Sequence, residues 1–350
     1  MTKTLKNLTK KAVLGLVIMN LVGCGGTNKV TELQGAGATF PYPLYSKMFD
    51  AYYKENGIKV NYQSIGSGGG IRQLKAETVD FGASDAFMSD KAMKASGKDI
   101  LHIPVALGAV SLSYNVPALT NVHLTADVIA DMFLGTINNW NDARIKALNP
   151  TAQLPNLDIA TVHRSDGSGT TFIFTDYLAK VSQAWATKVG KGKAVNWPVG
   201  LGGKGNAGVA GVIQNIPGSI GYIGHIYAIQ NNMPVVRVKN AKGHFIAPSL
   251  ASVSQAANTA LPADTRASIT NSLAKKGYPI SGFTWILAYK DQQFKGRSKE
   301  QAMATKALLN WMITDGQRFA EPLHYAGLTP VVVNQAQRLL DSMTFGSEGL

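Results

Sequence analysis

The chain has 350 residues, of which 45% are hydrophobic and 16% charged, with 36 glycines and a formal net charge of +13. Such a composition belongs to a folded globular protein, and the length exceeds what one core usually fills, so two lobes are expected. The single cysteine, Cys24, excludes a disulfide framework and a cysteine-rich metal site. Nucleic acid is disfavoured despite the charge, because no stretch forms a dense basic helix or a zinc-finger spacing. Lys3, Lys6, Lys10 and Lys11 belong to the first segment and leave about +9 elsewhere, a balance that suits an anionic surface or an anionic small ligand.

The N-terminus reads as an export signal. Four lysines without an acid precede the apolar run Ala12–Val22, too short to span a bilayer comfortably but of the length of a secretory core. Leu21-Val22-Gly23-Cys24 then has the form of a lipoprotein processing box, with Cys24 as the lipidated first residue of the mature chain. Acyl chains there would anchor the protein stably, each buried CH₂ contributing roughly 0.8 kcal/mol. Residues 1–23 are thus assigned to a signal peptide and 24–32 to a lipidated tether, with ordered structure expected from about Leu33.

Further along, Phe40, Leu44, Tyr45, Met48, Phe49 and Tyr52 form a helical stripe starting just after Thr39, with Pro41 and Pro43 tolerable in its first turn. Val60–Ile65 reads as a strand. Ser67-Gly-Gly-Gly70 feeds a helix running through Ile71 towards Ala76, again opened by a hydroxyl residue. Val79–Asp85 predicts a short buried strand that delivers Asp85 at its carboxyl end. Ile103–Tyr114 is a long apolar strand, and a mostly helical region reaches Asn149, with Trp140 as a core anchor. Ile159–Val162 predicts a strand ending in His163-Arg164, and Thr170–Val181 a helix with one buried face. A second glycine cluster, Gly200–Asn206, precedes a helix over Val209–Ile216 and a strand over Ser219–Ile223. Ser281–Tyr289 is extended and apolar, and helices over about Lys299–Thr314 and Val332–Leu340 close the chain. Strands alternating with helices indicate an α/β protein with parallel or mixed sheets, in which ligands collect at the carboxyl ends of strands.

One device recurs: a glycine-rich bend, then a hydroxyl residue opening a helix, at Thr39, at Ser67 and at Ser168–Thr170. Helix starts present unpaired N–H groups and the positive end of a dipole, and three together suggest an oxyanion site, although each alone is an ordinary cap. In Arg164-Ser-Asp-Gly-Ser-Gly-Thr170 the guanidinium can hold two oxygens of a tetrahedral anion while Asp166 clamps it; the alternative is a surface ion pair followed by a turn. Asp85 reads either as a cap or as a specificity element. Beside a bound anion a carboxylate repels unless the anion brings a proton, as phosphate does near neutral pH and sulfate does not.

Four separated motifs, Gly35-Ala-Gly-Ala-Thr-Phe-Pro41, Ile65-Gly-Ser-Gly-Gly-Gly70, Val79-Asp-Phe-Gly-Ala-Ser-Asp85 and Arg164–Thr170, closely resemble the phosphate-binding protein of bacterial phosphate-specific ABC transporters. The likeness continues through Trp197–Asn206 and Pro217–Tyr222 and covers nearly all of the exported chain. It implies a two-lobed periplasmic-binding-protein-like fold (type II), mixed sheets flanked by helices and a ligand cleft between the lobes. The first lobe would comprise residues 33–107 plus 286–350, and the second 108–285, with hinge crossings near Leu107–Tyr114 and Ser281–Trp285. The implied ligand set is Thr39, Phe40 through its amide, Ser67, Asp85, Arg164, Asp166, Ser168, Gly169 and Thr170. Glycines at 68 to 70, where some relatives carry a serine, are expected to loosen that helix start.

The implied role is high-affinity binding of inorganic phosphate outside the cytoplasmic membrane by a monomer, and its delivery to the permease and ATPase subunits of an ABC importer. No catalysis, metal or cofactor is expected: the histidines lack metal-like spacing and no base is placed beside Ser168 or Thr170. Lys204 is assigned a structural or interface use. The rival readings are a phosphohydrolase-like enzyme using one of those hydroxyls, an adhesive or signalling lipoprotein that kept the binding fold, and a sulfate or molybdate binder.

Overall fold

The computed structural model describes residues 29–117, 119–294 and 296–350. The signal segment, the processing box and Cys24 lie outside the described residues. Among the described residues, no helix is long and apolar enough to cross a membrane.

The chain runs through β1 (Glu32–Gly37), α1 (Tyr42–Asn56), β2 (Lys59–Ser64), α2 (Ser67–Lys75), β3 (Phe81–Ser84) and α3 (Asp90–Lys94). The long strand β4 (Ile100–Asn115) is followed by β5 (His123–Leu124), α4 (Ala126–Leu134), α5 (Ala143–Leu148) and β6 (Ala160–Arg164). Then come α6 (Gly169–Val181), α7 (Gln183–Lys188), β7 (Leu201–Gly203), α8 (Gly205–Asn215), β8 (Ser219–Gly224) and α9 (His225–Gln230). After β9 (Arg237–Lys239), β10 (Phe245–Ile246) and α10 (Leu250–Ala256), a segment without helix or strand leads to β11 (Ser281–Tyr289). Helices α11 (Lys299–Ile313) and α12 (Pro330–Asp341) and the ribbon β12 (Thr344–Phe345) and β13 (Glu348–Gly349) finish the chain.

Eight strands form one mixed sheet in the order β2-β1-β3-β11-β4-β8-β6-β7. The pairs β1–β2, β1–β3, β6–β8 and β6–β7 are parallel, whereas β3–β11, β11–β4 and β4–β8 are antiparallel. β4 changes partner along its length: Ile100–Ala109 pairs with β11, and Val110–Asn115 with β8. That strand therefore joins the β1–β3 half of the molecule to the β6–β8 half. β11 is buried throughout and β4 nearly so, which explains their near-continuous apolar sequences. The carboxyl ends of β1 and β3 on one side, and of β6 on the other, turn into the segments that carry the predicted ligands.

Two local features differ from the sequence reading. The sequence suggests a glycine-rich bend before Thr39, but Glu32–Gly37 is the strand β1, paired on both sides. Gly35 pairs with Tyr62 of β2 and Phe81 of β3, whose rings stack 6.4 Å apart, and a side chain at 35 would collide with Phe81. Gly35 is thus a strand residue at a place where its neighbours leave no room for a side chain. The glycines after Ser67 do not loosen α2 either. A Cβ at Gly70 would stand 2.4 Å from the Ala36 carbonyl oxygen and 2.5 Å from Gly37 Cα, so this helix lies directly on the β1 backbone.

Gly70→Ala is therefore expected to destabilise the protein by about 1–3 kcal/mol, as overpacking a close contact usually does. Urea unfolding of the leaderless protein measures it; an unchanged midpoint would show that α2 can lift from β1 at no cost.

Candidate functional site

The predicted ligands converge from both halves of the sheet. β1 leads into Thr39 and Phe40, α2 begins with Ser67, and β3 ends beside Asp85. From the other half, β6 ends in Arg164 and α6 starts after Ser168. The two sides touch: the Gly68 N–H donates to the Gly167 carbonyl at 2.8 Å, and the Gly169 N–H to Ser67 Oγ at 3.0 Å. All nine predicted residues thus lie in or beside one cleft.

The helix starts are less uniform than the sequence suggests. Ser168 is the N-cap of α6, accepting the Thr171 N–H at 3.0 Å. Ser67 is not a cap, because it is already the first residue of α2 and Gly66 precedes it. Its hydroxyl is released to accept the Asp85 and Gly169 N–H groups at 3.2 and 3.0 Å. Thr39 does not open α1 either: Pro41 caps that helix, with Pro43 inside its first turn. Thr39 Oγ1 instead accepts the backbone N–H of Asn206 at 3.2 Å and its side-chain amide at 2.8 Å. The carbonyls of Thr39 and Phe40 are held by the hydroxyls of Tyr227 and Tyr325, each at 2.6 Å, which fixes the turn. The Phe40 ring is buried edge-on to Tyr325.

Arg164 is 4% exposed, and its fork is divided. Nε and Nη2 donate to the two oxygens of Asp166 at 2.7 and 2.5 Å, and Nη1 reaches Thr170 Oγ1 at 3.4 Å. The Gly205 N–H adds a 2.9 Å bond to Asp166 Oδ1. Partial burial pushes the Asp166 carboxyl up, but the hydrogen bonds and charge of Arg164 outweigh this and hold it below the usual range. Asp166 thus stays ionised and fixes the guanidinium so that one edge faces Thr170 and the cleft. Tyr222 takes the backbone N–H of Arg164 on its hydroxyl at 3.0 Å. His163 turns away and stacks on Trp197, with ring centres 4.8 Å apart. Lys204 is exposed at the start of α8.

Asp85 is 2% exposed, and its Oδ1 accepts the Thr284 hydroxyl at 2.8 Å. Burial drives its carboxyl up to about 7, opposed by the Thr284 hydrogen bond and the Arg164 charge. This buried carboxyl thus holds its proton more tightly than a solvated one. Among the described residues, no three histidines, cysteines or acids lie together as a metal site would require.

Sequence reasoning missed Thr284, Asn206 and the tyrosines 222, 227 and 325. Thr284 and the tyrosines sit in apolar stretches that read only as core. Asn206 left a signal, an amide side chain within a glycine cluster at a helix start, but its contacts are far away in sequence.

The fold defines a class: a two-lobed α/β protein of the periplasmic-binding type, with its predicted ligand residues gathered between the two halves of the sheet. The PBP superfamily domain matches residues 24–316. The chain is 43% identical over 314 residues to the phosphate-binding protein PstS of Xylella fastidiosa, covering 88% of this chain and 85% of that one. It is 39% identical over 347 residues to PstS of Pasteurella multocida, covering 98% of each. The fold matches that of a high-affinity periplasmic phosphate-binding protein solved with phosphate bound, at a TM-score of 0.69 and 19% identity over 88% of this chain and 93% of that one. The chain belongs to the PBP superfamily and, within it, to the family of the PstS phosphate-binding proteins.

The raised carboxyl of Asp85 has a measurable consequence. Burial pushes it from its ordinary 3.8 up to about 7, so the folded state binds the proton more tightly than the unfolded chain. The folded state is therefore favoured by this group below about pH 4 and loses that advantage as pH rises to 7, at ~1.4 kcal/mol per pH unit. Asp85→Asn keeps the acceptor for Thr284 and removes the titration. Without anion, the variant should come nearest the parent at about pH 3.5 and exceed its unfolding free energy by a few kcal/mol at pH 8. Unfolding curves that differ equally at both pH values would refute this.

Proposed function

We propose that this cleft captures inorganic phosphate outside the cytoplasmic membrane and that the protein delivers it to an ABC importer. The observation that carries the proposal is the pairing of a clamped, buried Arg164 with a buried Asp85 acceptor across the same cleft. Arg164, the start of α6 and the hydroxyls of Thr39, Ser67 and Thr170 supply donors for a tetrahedral oxyanion. Asp85 supplies the one place for a proton carried by that anion. Phosphate carries a proton near neutral pH; sulfate does not, and would face Asp85 with two unpaired lone-pair sets. The names of the relatives support the same ligand.

The ligand set we propose is Thr39, Phe40, Ser67, Asp85, Arg164, Asp166, Ser168, Gly169 and Thr170, with Asp166 acting through Arg164. The lobes we propose are residues 33–107 with 286–350, and 108–285. The change of partner along β4 at Ala109–Val110 supports the first crossing, and the bond from Val110 N–H to the Ile280 carbonyl favours a second crossing near Ser281. Lipidation at Cys24 would tether the chain to a membrane by residues 24–32, close to its permease and the associated ATPase subunits. These last assignments rest on the sequence motif and on the family.

Calorimetry of the leaderless protein with phosphate and with sulfate at one pH tests the reading. Phosphate should bind tightly and sulfate barely at all; equal affinities would remove the role given to Asp85. Asp85→Asn should narrow the ratio of the two affinities, since an amide can donate to an unprotonated oxygen, and an unchanged ratio would count against it.

Arg164→Ala should weaken binding of either anion by several kcal/mol, because it removes the ionic partner and strands Asp166 in a half-buried site. Affinity within about tenfold of the parent would show that the helix start alone holds the anion.

A further inference from the structure

A hydroxyl has one hydrogen to donate and two lone pairs to accept with. In this cleft three hydroxyl oxygens have both lone pairs committed to N–H donors of the protein. Ser67 Oγ accepts from Asp85 N–H and Gly169 N–H. Thr39 Oγ1 accepts from the backbone and side-chain nitrogens of Asn206, at 3.2 and 2.8 Å. Thr170 Oγ1 accepts from the same Asn206 side-chain nitrogen at 3.2 Å and from Arg164 Nη1 at 3.4 Å. Each of these oxygens can offer a ligand only its hydrogen.

The orientation of the Asn206 amide is itself fixed. Its Oδ1 accepts the Gly224 N–H at 2.8 Å, so the NH₂ end must be the one facing the two threonines. The side chain is fully buried and unable to reverse against solvent. Its two amide hydrogens are then spent, one on Thr39 and one on Thr170. Gly224 lies at the end of β8, Thr170 opens α6, and Thr39 follows β1, so one amide joins three separate elements across the cleft.

We infer that Asn206 is a positioning residue that locks the hydroxyls of Thr39 and Thr170 as donors, leaving Asp85 as the acceptor for a protonated anion oxygen. This rests on the anion-binding reading above and deepens it, because discrimination then requires two parts. Asp85 demands one proton on the anion, and the locked hydroxyls demand bare oxygens elsewhere. If Thr39 or Thr170 could turn and accept, the cleft would offer the anion's proton a second acceptor and would lose donors to its bare oxygens. Asn206 prevents this without touching the ligand.

Asn206→Asp keeps the size and the bond from Gly224 but replaces the donor end by an acceptor. The threonine hydroxyls should then donate to the new carboxylate and turn away from the anion. A charge effect on the anion is separated from this by a cycle: Asn206→Asp is made in the parent and in a Thr39→Val, Thr170→Val background that has no hydroxyls to turn. Calorimetric phosphate affinity should fall roughly 100-fold in the parent background and less than about tenfold in the valine background. If the aspartate variant does not fold, Asn206→Leu, uncharged and nearly isosteric, runs the same cycle, with roughly tenfold and near-zero losses expected. Equal losses in the two backgrounds, in either cycle, overturn the inference. A parent protein that binds phosphate while the cycle is additive overturns the inference alone. A parent silent towards phosphate overturns the proposed function and the inference with it.

Discussion

Removing a guanidinium from water is costly unless a fixed anion stands beside it, and Arg164 is almost completely enclosed. Asp166 answers that cost with two oxygens on one edge of the fork, and the Gly205 N–H helps to hold it there. Because two of the three guanidinium nitrogens are occupied in this way, the third has one direction left, towards Thr170. In the proposed site that direction would set where an anion sits, facing the Thr39 turn, the start of α2 and Asp85. The remaining site geometry follows from where this single pair is buried.

Approach of the two lobes depends on small residues at the contact. Gly68 and Gly167 meet backbone to backbone, and Gly169 N–H reaches Ser67 Oγ. A larger residue at any of these places would hold the lobes apart and leave water between Arg164 and Asp85, weakening the electrostatic contrast that a dry cleft provides. Close approach also commits the hydroxyl lone pairs to protein N–H groups. Closure and donor polarity are thus products of the same contacts.

The proposed ligand residues were legible as candidates because each sits in a short motif at a strand end or helix start, and the fold brings those motifs together. Of the helix start that the sequence places at Ser168–Thr170, Ser168 is the cap. Ser67 and Thr39 were misread as caps because the sequence places a hydroxyl near a helix start without showing which backbone N–H will reach it. Gly35 and Gly70 were misread in the opposite sense. Their meaning depends on Phe81 and on the β1 backbone, which are contacts made by tertiary packing rather than by local preference. Asn206, Thr284 and the three tyrosines were invisible for the same reason, as their partners lie on other elements. The raised carboxyl of Asp85 could not be read at all, because burial is a property of the assembled lobes.

Two buried aspartates illustrate how such a site is supported by its frame. Asp176, in the body of α6, accepts bonds from Lys191, Ser268 and Thr270, each at 2.6 Å, with Lys180 also beside it at 3.0 Å. Burial would raise its carboxyl, but these partners outweigh burial and bring it down to about 2. Its contribution to folding is therefore present above the ordinary carboxylate range and is lost only as pH falls towards 2. Asp85 runs the other way, costing more as pH rises to 7, because burial outweighs the Thr284 hydroxyl and the Arg164 charge that oppose it. Around neutral pH the helix that presents Ser168, Gly169 and Thr170 is held by a carboxylate with several donors, while buried Asp85 has the Thr284 hydroxyl as its side-chain donor. The protonated phosphate proposed above would bring Asp85 a further donor.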